Sequence, residues 1–255
     1  MKAYIRKNHD GQAFDRHMYA AYAGFRERCE VQWYTTIHAV KEVATDDVIV
    51  GTYTDIRDWL ETRRIEIPNL DYPEELREFL GRKLWQSTLF TVTNDVDAWH
   101  VFVKPVSEGH RFRGTTLDET DDLIKLGGLV TDIAIWCSEK VQFLSEWRVY
   151  VVDGVAVGMN FYAGDWQILP DTETIRAAIA AYRSAPRGYA VDFGVDAQGR
   201  TLLVEVNDGF GLSNYGLLPQ LYAELLAARW TEMVAPAMVT EADTAADTAA
   251  VTEDV

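Results

Sequence analysis

What this chain lacks narrows its function first. It has two cysteines in 255 residues, Cys29 and Cys137, far apart in sequence. They form no disulfide framework and read as free thiols of a reducing, cytoplasmic compartment. No apolar run approaches membrane-spanning length, and the opening stretch "MKAYIRKNHDG" has no leader-like apolar centre. Basic charge is scarce: 24 Lys and Arg against 40 Asp and Glu leave a formal net charge of −16, which argues against a nucleic-acid partner. The five histidines have no ligand spacing, so no zinc site is expected. Neither GxxxxGKS/T nor GxGxxG occurs, and no Ser/His/Asp or Cys/His grouping offers a covalent nucleophile.

What is present is a globular pattern, 48% hydrophobic and 12% aromatic. Strand-like "KAYIR", "EVQWY" and "DVIVGTY" alternate with helical spacing over Phe14 to Arg28 and over "TDIRDWLETR", with Thr54 as its expected cap. That alternation predicts an α/β layer over residues 1–72. The prolines of "IPNLDYP" read as a linker, and "EELREFLGRKLWQSTL" reads as an amphipathic helix with acids in its first turn. Residues 73–235 then turn strand-rich, with a helix at "ETIRAAIAAYR" and a last one near Leu217 to Met233, an α+β pattern. Residues 236–255 form an acidic stretch without apolar periodicity, expected to be disordered.

The chemistry concentrates at "YAVDFGVDAQGRTLLVEVND". Two β-rich runs flank the turn "DAQG", so a hairpin is predicted, in which Asp192 comes near Glu205 across the ladder. Glu205 and Asn207 share one face of the second strand. Carboxylates in a half-buried strand are costly without a cation, and such oxygen donors suit Mg²⁺; a solvated outer face is the other reading. Lys104 ends the apolar strand "VFVKP", where its charge reaches either solvent or an anion. The following "VSEGHRFRG" has backbone and basic groups suited to phosphate, but taken alone it reads more readily as a plain surface loop. Glu146 and Arg148 alternate in "SEWRVYV" and share a face.

Taken in order, "GRKLWQSTL", "VFVKP", "SEKVQFLSEWRVYV" and "VDF…LLVEVN" resemble the ATP-grasp superfamily, in which an Asp and a following Glu-x-Asn hold Mg²⁺. "LDYPEELREFLGRKLW", "EWRVYV" and "LVEVND" are similar to a small clade named for one arginine and two lysines. The resemblance implies an α/β N-terminal layer, like the domain that precedes ATP-grasp lobes, over 1–72. It implies α+β ATP-grasp lobes over 73–235, with ATP bound between two sheets. It further implies that Lys83 and Lys104 neutralise phosphates, that Glu139, Lys140 and Gln142 face adenine, and that Glu146 accepts from ribose. Arg148 would meet the γ-phosphate, so Arg148 and Lys104 are the catalytic candidates. Asp192, Glu205 and Asn207 would hold one or two Mg²⁺ ions, or Mn²⁺ in their place. Relatives carry a lysine in the loop after "VKP"; here His110 and Arg111 stand there, and Arg111 is the substitute phosphate contact. Ser213, Asn214 and Tyr215, in "NDGFGLSNYG", are the candidate substrate residues, a helix cap being their other reading. The implied activity is an ATP-dependent carboxylate–amine ligase passing through an acyl phosphate and acting on a small molecule, peptide or protein. A kinase-type phosphotransferase and a nucleotide-binding module without turnover are the alternatives.

Overall fold

A computed structural model of the chain describes residues 1–106, 112–128 and 131–234. The expected acidic stretch and the two loop candidates His110 and Arg111 lie outside the described residues.

The N-terminal layer is a parallel sheet of β1 (Lys2–Arg6), β2 (Glu30–Tyr34) and β3 (Val48–Val50), ordered β2-β1-β3, with α1 (Arg16–Phe25) as the crossover from β1 to β2 and α2 (Tyr53–Thr62) following β3. Asp15 caps α1, accepting from the amides of His17 and Met18, both at 2.8 Å. Thr52, not Thr54, caps α2. Its hydroxyl accepts from the Asp55 amide while the Asp55 carboxylate accepts from the Thr52 amide at 2.9 Å, a reciprocal pair that fixes the helix start.

The expected helix after the linker is not formed. Glu74–Phe79 makes a short 3-10 turn, and β4 (Leu84–Thr88) follows. Gly81 adopts φ +60 against Leu202, and Arg82 donates to the carbonyls of Leu80, Leu203 and Val204 at 3.0, 2.6 and 3.0 Å. A left-handed residue ends a helix. The following residues then pair as a strand, which their local amphipathic spacing did not reveal. After α3 (Leu89–Thr93) come β5 (Val101–Pro105), β6 (Thr115–Leu117) and β7 (Ala134–Glu139), giving an antiparallel sheet ordered β4-β7-β5-β6.

Residues 140–142 lead into the second large sheet: β8 (Phe143–Val152), β9 (Val155–Gly164), β10 (Gly188–Asp196) and β11 (Thr201–Asp208), ordered β11-β10-β8-β9. Helix α4 (Thr172–Ala181) covers its back through Ile175 and Ala178. A last helix, α5 (219–234), packs Tyr222, Leu225 and Trp230 into the core of the N-terminal layer, where Trp59 and Trp230 lie 5.1 Å apart. The N-terminal layer and α5 therefore bury their apolar faces against each other. No helix among the described residues is long and apolar enough to cross a membrane.

One buried ion pair pins α5 to the end of β11. Arg229 Nε and a terminal nitrogen donate to the two oxygens of Asp208 at 2.6 Å each, with both residues buried. Burial pushes the Asp208 carboxyl up against the pull of Arg229, so removing the guanidinium leaves an uncompensated charge. Arg229→Ala is expected to lower stability by about 3–5 kcal/mol, measured by urea unfolding. The double change Arg229→Met with Asp208→Asn should recover a large part of that loss.

Candidate active site

The strand register builds the site. Asp192 stands opposite Glu205 across β10–β11 and opposite Arg148 across β8–β10, so three neighbouring strands present Arg148, Asp192 and Glu205 in one row. A cleft of about 660 Å³ opens over this row. Lys104, at the end of β5, reaches in from the facing sheet, and Tyr53 of the N-terminal layer closes the far end with Phe210 and Tyr215.

Within the row every described charge is paired. Arg148 Nε and a terminal nitrogen donate to the two oxygens of Asp192 at 2.8 and 2.7 Å, a bidentate pair that is 6% and 1% exposed. Asn207 adds its amide to Asp192 at 3.2 Å. Lys104 Nζ donates to Glu205 at 2.9 Å and to Asp71 at 2.7 Å. Burial pushes the Asp192 carboxyl up, with Arg148 pulling it back. Burial by itself would lower the Lys104 ammonium, but Glu205, Tyr72 and Asp71 hold it above the usual lysine range. Burial likewise raises the Glu205 carboxyl, and the Lys104 charge outweighs it, leaving Glu205 below its ordinary value. Both cations stay charged, and Glu205 is an anion.

The donors fit a hard divalent cation in part. Glu205 and Asn207 line the cleft, whereas Asp192 sits behind them with both oxygens on Arg148. Among the described residues no group of three or more His, Cys, Asp or Glu is gathered for a metal. One carboxylate and one amide oxygen are nonetheless what Mg²⁺ accepts when phosphate and water complete its shell.

The remaining candidates fall in three places. Ser213 and Tyr215 line the cleft. Asn214 does not: its amide donates to the Leu217 carbonyl and accepts from the Gly216 amide, both at 2.9 Å, and closes the turn before α5. The Asn214 backbone amide donates to His17 Nδ1 at 2.9 Å, and burial lowers His17, favouring the neutral ring that accepts. Lys83, Glu139, Lys140, Gln142 and Glu146 lie outside the cleft lining. The Glu139 carboxylate accepts from the Lys83 backbone amide at 2.9 Å, and the Lys83 ammonium lies 5.3 Å from the Trp85 ring. Lys140 pairs with Asp118, Gln142 is exposed, and Glu146 accepts from the Tyr162 hydroxyl at 2.7 Å.

Sequence reasoning missed Asp71 and Tyr162. Asp71 sits in the proline-flanked segment read as a linker, and no local pattern announces that Lys104, 33 residues on, binds it. Tyr162 reads as an ordinary strand aromatic, yet it lies 5.9 Å from the Arg148 guanidinium.

Solved structures share this fold. D-cycloserine synthetase DcsG superposes with a TM-score of 0.56 at 14% identity, covering 90% of this chain and 100% of that one. D-alanine–D-alanine ligase from Bacillus anthracis gives 0.54 at 15%, covering 94% and 99%. The ATP-grasp ligase PsnB, complexed with minimal precursor, Mg and ADP, gives 0.53 at 16%, covering 89% and 96%. At such identities the likeness speaks for the fold alone. No curated protein sequence matches. Residues 79–225 match the family model described as ATP-grasp domain, R2K clade family 2, more than half of the 255-residue chain. They hold Lys83, Lys104, Arg148 and the acid–amide row, and the chain belongs to that ATP-grasp family.

Proposed function

We propose that this chain is an ATP-dependent carboxylate–amine ligase that activates its acid as an acyl phosphate. One observation carries the reading: the row at the cleft floor holds two cations, Lys104 and Arg148, against three carboxylates, Asp71, Asp192 and Glu205. With all five ionised, that row has one net negative charge. It repels a bare polyphosphate and accepts one that arrives with a divalent cation. Glu205 and Asn207, with Asp192 behind them, would hold Mg²⁺, which when bound neutralises charge on the β- and γ-phosphates.

The residues of this chain then do the positioning. Lys104, held by Asp71 on its other side, contacts phosphate, and Glu205, its other partner, would be among the groups that hold the cation. Arg148, fixed by Asp192, faces the γ-phosphoryl group during transfer to the substrate carboxylate, where fixed positive charge lowers the barrier. ADP leaves, and the amine attacks the acyl carbon. The new C–N bond forms as phosphate departs with the electron pair of the C–O bond and the amine gives up a proton. No protein nucleophile is involved. Glu146 accepts from ribose, and Glu139, Lys140 and Gln142 present the adenine edge of the 140–142 connection. Tyr53, Phe210, Ser213 and Tyr215 surround the acid and the amine. The peptide precursor bound by PsnB supports including peptides with amino acids in a substrate screen.

The screen reads ADP release against amino acids and peptides. A ligase requires both an acid and an amine, a kinase-type transfer needs no amine, and a binding module releases no ADP. With a productive pair, Glu205→Gln is expected to lower kcat by on the order of 100-fold or more, as loss of a charge-stabilising group does. Its thermal midpoint should stay near wild type. Wild-type turnover in excess chelator would count against the metal role.

The loop candidates separate by their contacts. Ser213→Ala is expected to raise KM for the acid or the amine while KM for ATP holds. Asn214→Ala is expected instead to lower stability by about 1–3 kcal/mol through its lost turn bonds, measured by denaturant unfolding.

A further inference from the structure

The β8–β9 ladder contains an irregularity beside the site. Glu146 pairs with Ala163 and Trp147 with Phe161, so Tyr162 is an extra residue with no partner across the ladder. Bulges of this kind re-aim a side chain and gather next to active sites. Here the bulge sends the Tyr162 phenol to Glu146, at 2.7 Å. Its ring stacks on Tyr215, with centroids 5.2 Å apart and planes 16° from parallel. The Arg148 guanidinium carbon lies 4.9 Å from the Tyr215 ring centre and 5.9 Å from that of Tyr162. Tyr215 itself is held at φ +43, a backbone conformation that a bulky residue adopts only when its surroundings enforce it. Burial, with Asp192 and Glu146 adding to it, pushes the Tyr162 hydroxyl above its usual range, so it remains a donor.

One side chain thus touches both ends of the site. We infer that Tyr162 is a positioning residue that orients the Glu146 carboxylate and, through its stack on Tyr215, couples nucleotide occupancy to the order of the loop over residues 211–217. The inference rests on the nucleotide reading given above, with Glu146 on the ribose side and Tyr215 on the acid or amine side. A ribose hydroxyl that engages Glu146 shifts the carboxylate on which the phenol rests. The Tyr162 ring cannot follow without moving Tyr215, whose turn is closed by the Asn214 bonds.

The test uses the full chain with Mg·AMP-PNP and its 2′,3′-dideoxy counterpart, by titration calorimetry, and hydrogen exchange of the amides in residues 211–217 with and without Mg·AMP-PNP. Wild type is expected to prefer the ribose-bearing nucleotide and to gain loop protection on binding it. Tyr162→Phe keeps the stack and removes the bond to Glu146. It should shrink the ribose preference by on the order of tenfold to a hundredfold, the worth of a hydrogen bond to a charged group, and abolish the nucleotide-induced protection while protection without nucleotide stays. Tyr162→Leu should also lose the protection seen without nucleotide. Should the Leu variant fail to fold, Tyr162→Phe alone decides. A Phe variant with wild-type ribose preference and wild-type induced protection would overturn the coupling and leave the nucleotide reading standing. A wild-type chain that binds neither nucleotide would overturn both.

Discussion

The pairing of Arg148 with Asp192 is the constraint around which the rest of the site is arranged. A guanidinium and a carboxylate that are 6% and 1% exposed lose nearly all their hydration. Such a pair is tolerable only when its geometry is good and its remaining lone pairs are satisfied. Both conditions are met by strand register. Adjacent positions on β8 and β10 bring the two groups into a fork, and Asn207 on β11 supplies the further donor. The hairpin bulge between Asp192 and Phe193 follows directly after the acid, where the ladder to β11 shifts register. A slip of one residue in either ladder would turn one member to the opposite face.

The second charge cluster ties the two large sheets together. Lys104 belongs to one sheet and Glu205 to the other, and Asp71 belongs to the segment between the N-terminal layer and the lobes. That segment is more than a connector. The Asp71 carbonyl accepts from the Val206 amide at 3.2 Å, and the Asn69 side chain donates to the Val106 carbonyl at 2.7 Å. The chain over 69–72 thereby bridges the ends of β5 and β11 beneath the cleft. The N-terminal layer closes the other end. Gly211, at φ +62, lies so near the start of α2 that an added Cβ would meet the Tyr53 Cα at 2.7 Å, and the His17 ring accepts from the Asn214 amide. The loop that follows the acid–amide row is therefore shaped by residues from the far end of the chain.

The strands and most helices were legible because their signals are local. Alternation of apolar residues identified β1, β2, β5, β8, β9 and the β10–β11 hairpin, and the thirteen-residue interval from Asp192 to Glu205 is what that hairpin needs to set the two acids face to face. The stretch over residues 80–88 was misread, since its apolar spacing suits a helix while Gly81 and the pairing with β7 make it a strand. Asn214 drew attention as a polar residue in a glycine-rich loop. Only the folded chain reveals that its amide is consumed by the turn it closes.

The sequence by itself determined the element types, the order of the charged motifs and the alternation that sends Glu146 with Arg148, and Glu205 with Asn207, to common faces. These follow from backbone periodicity, which acts over a few residues. Tertiary structure decided which charge neutralises which. Lys104 finds Asp71 and Glu205 across 33 and 101 residues, and Arg148 finds Asp192 across 44. Partners at such separations are chosen by sheet order, register and burial, because a charge drawn even partly out of water must meet an opposite one wherever the chain brings it.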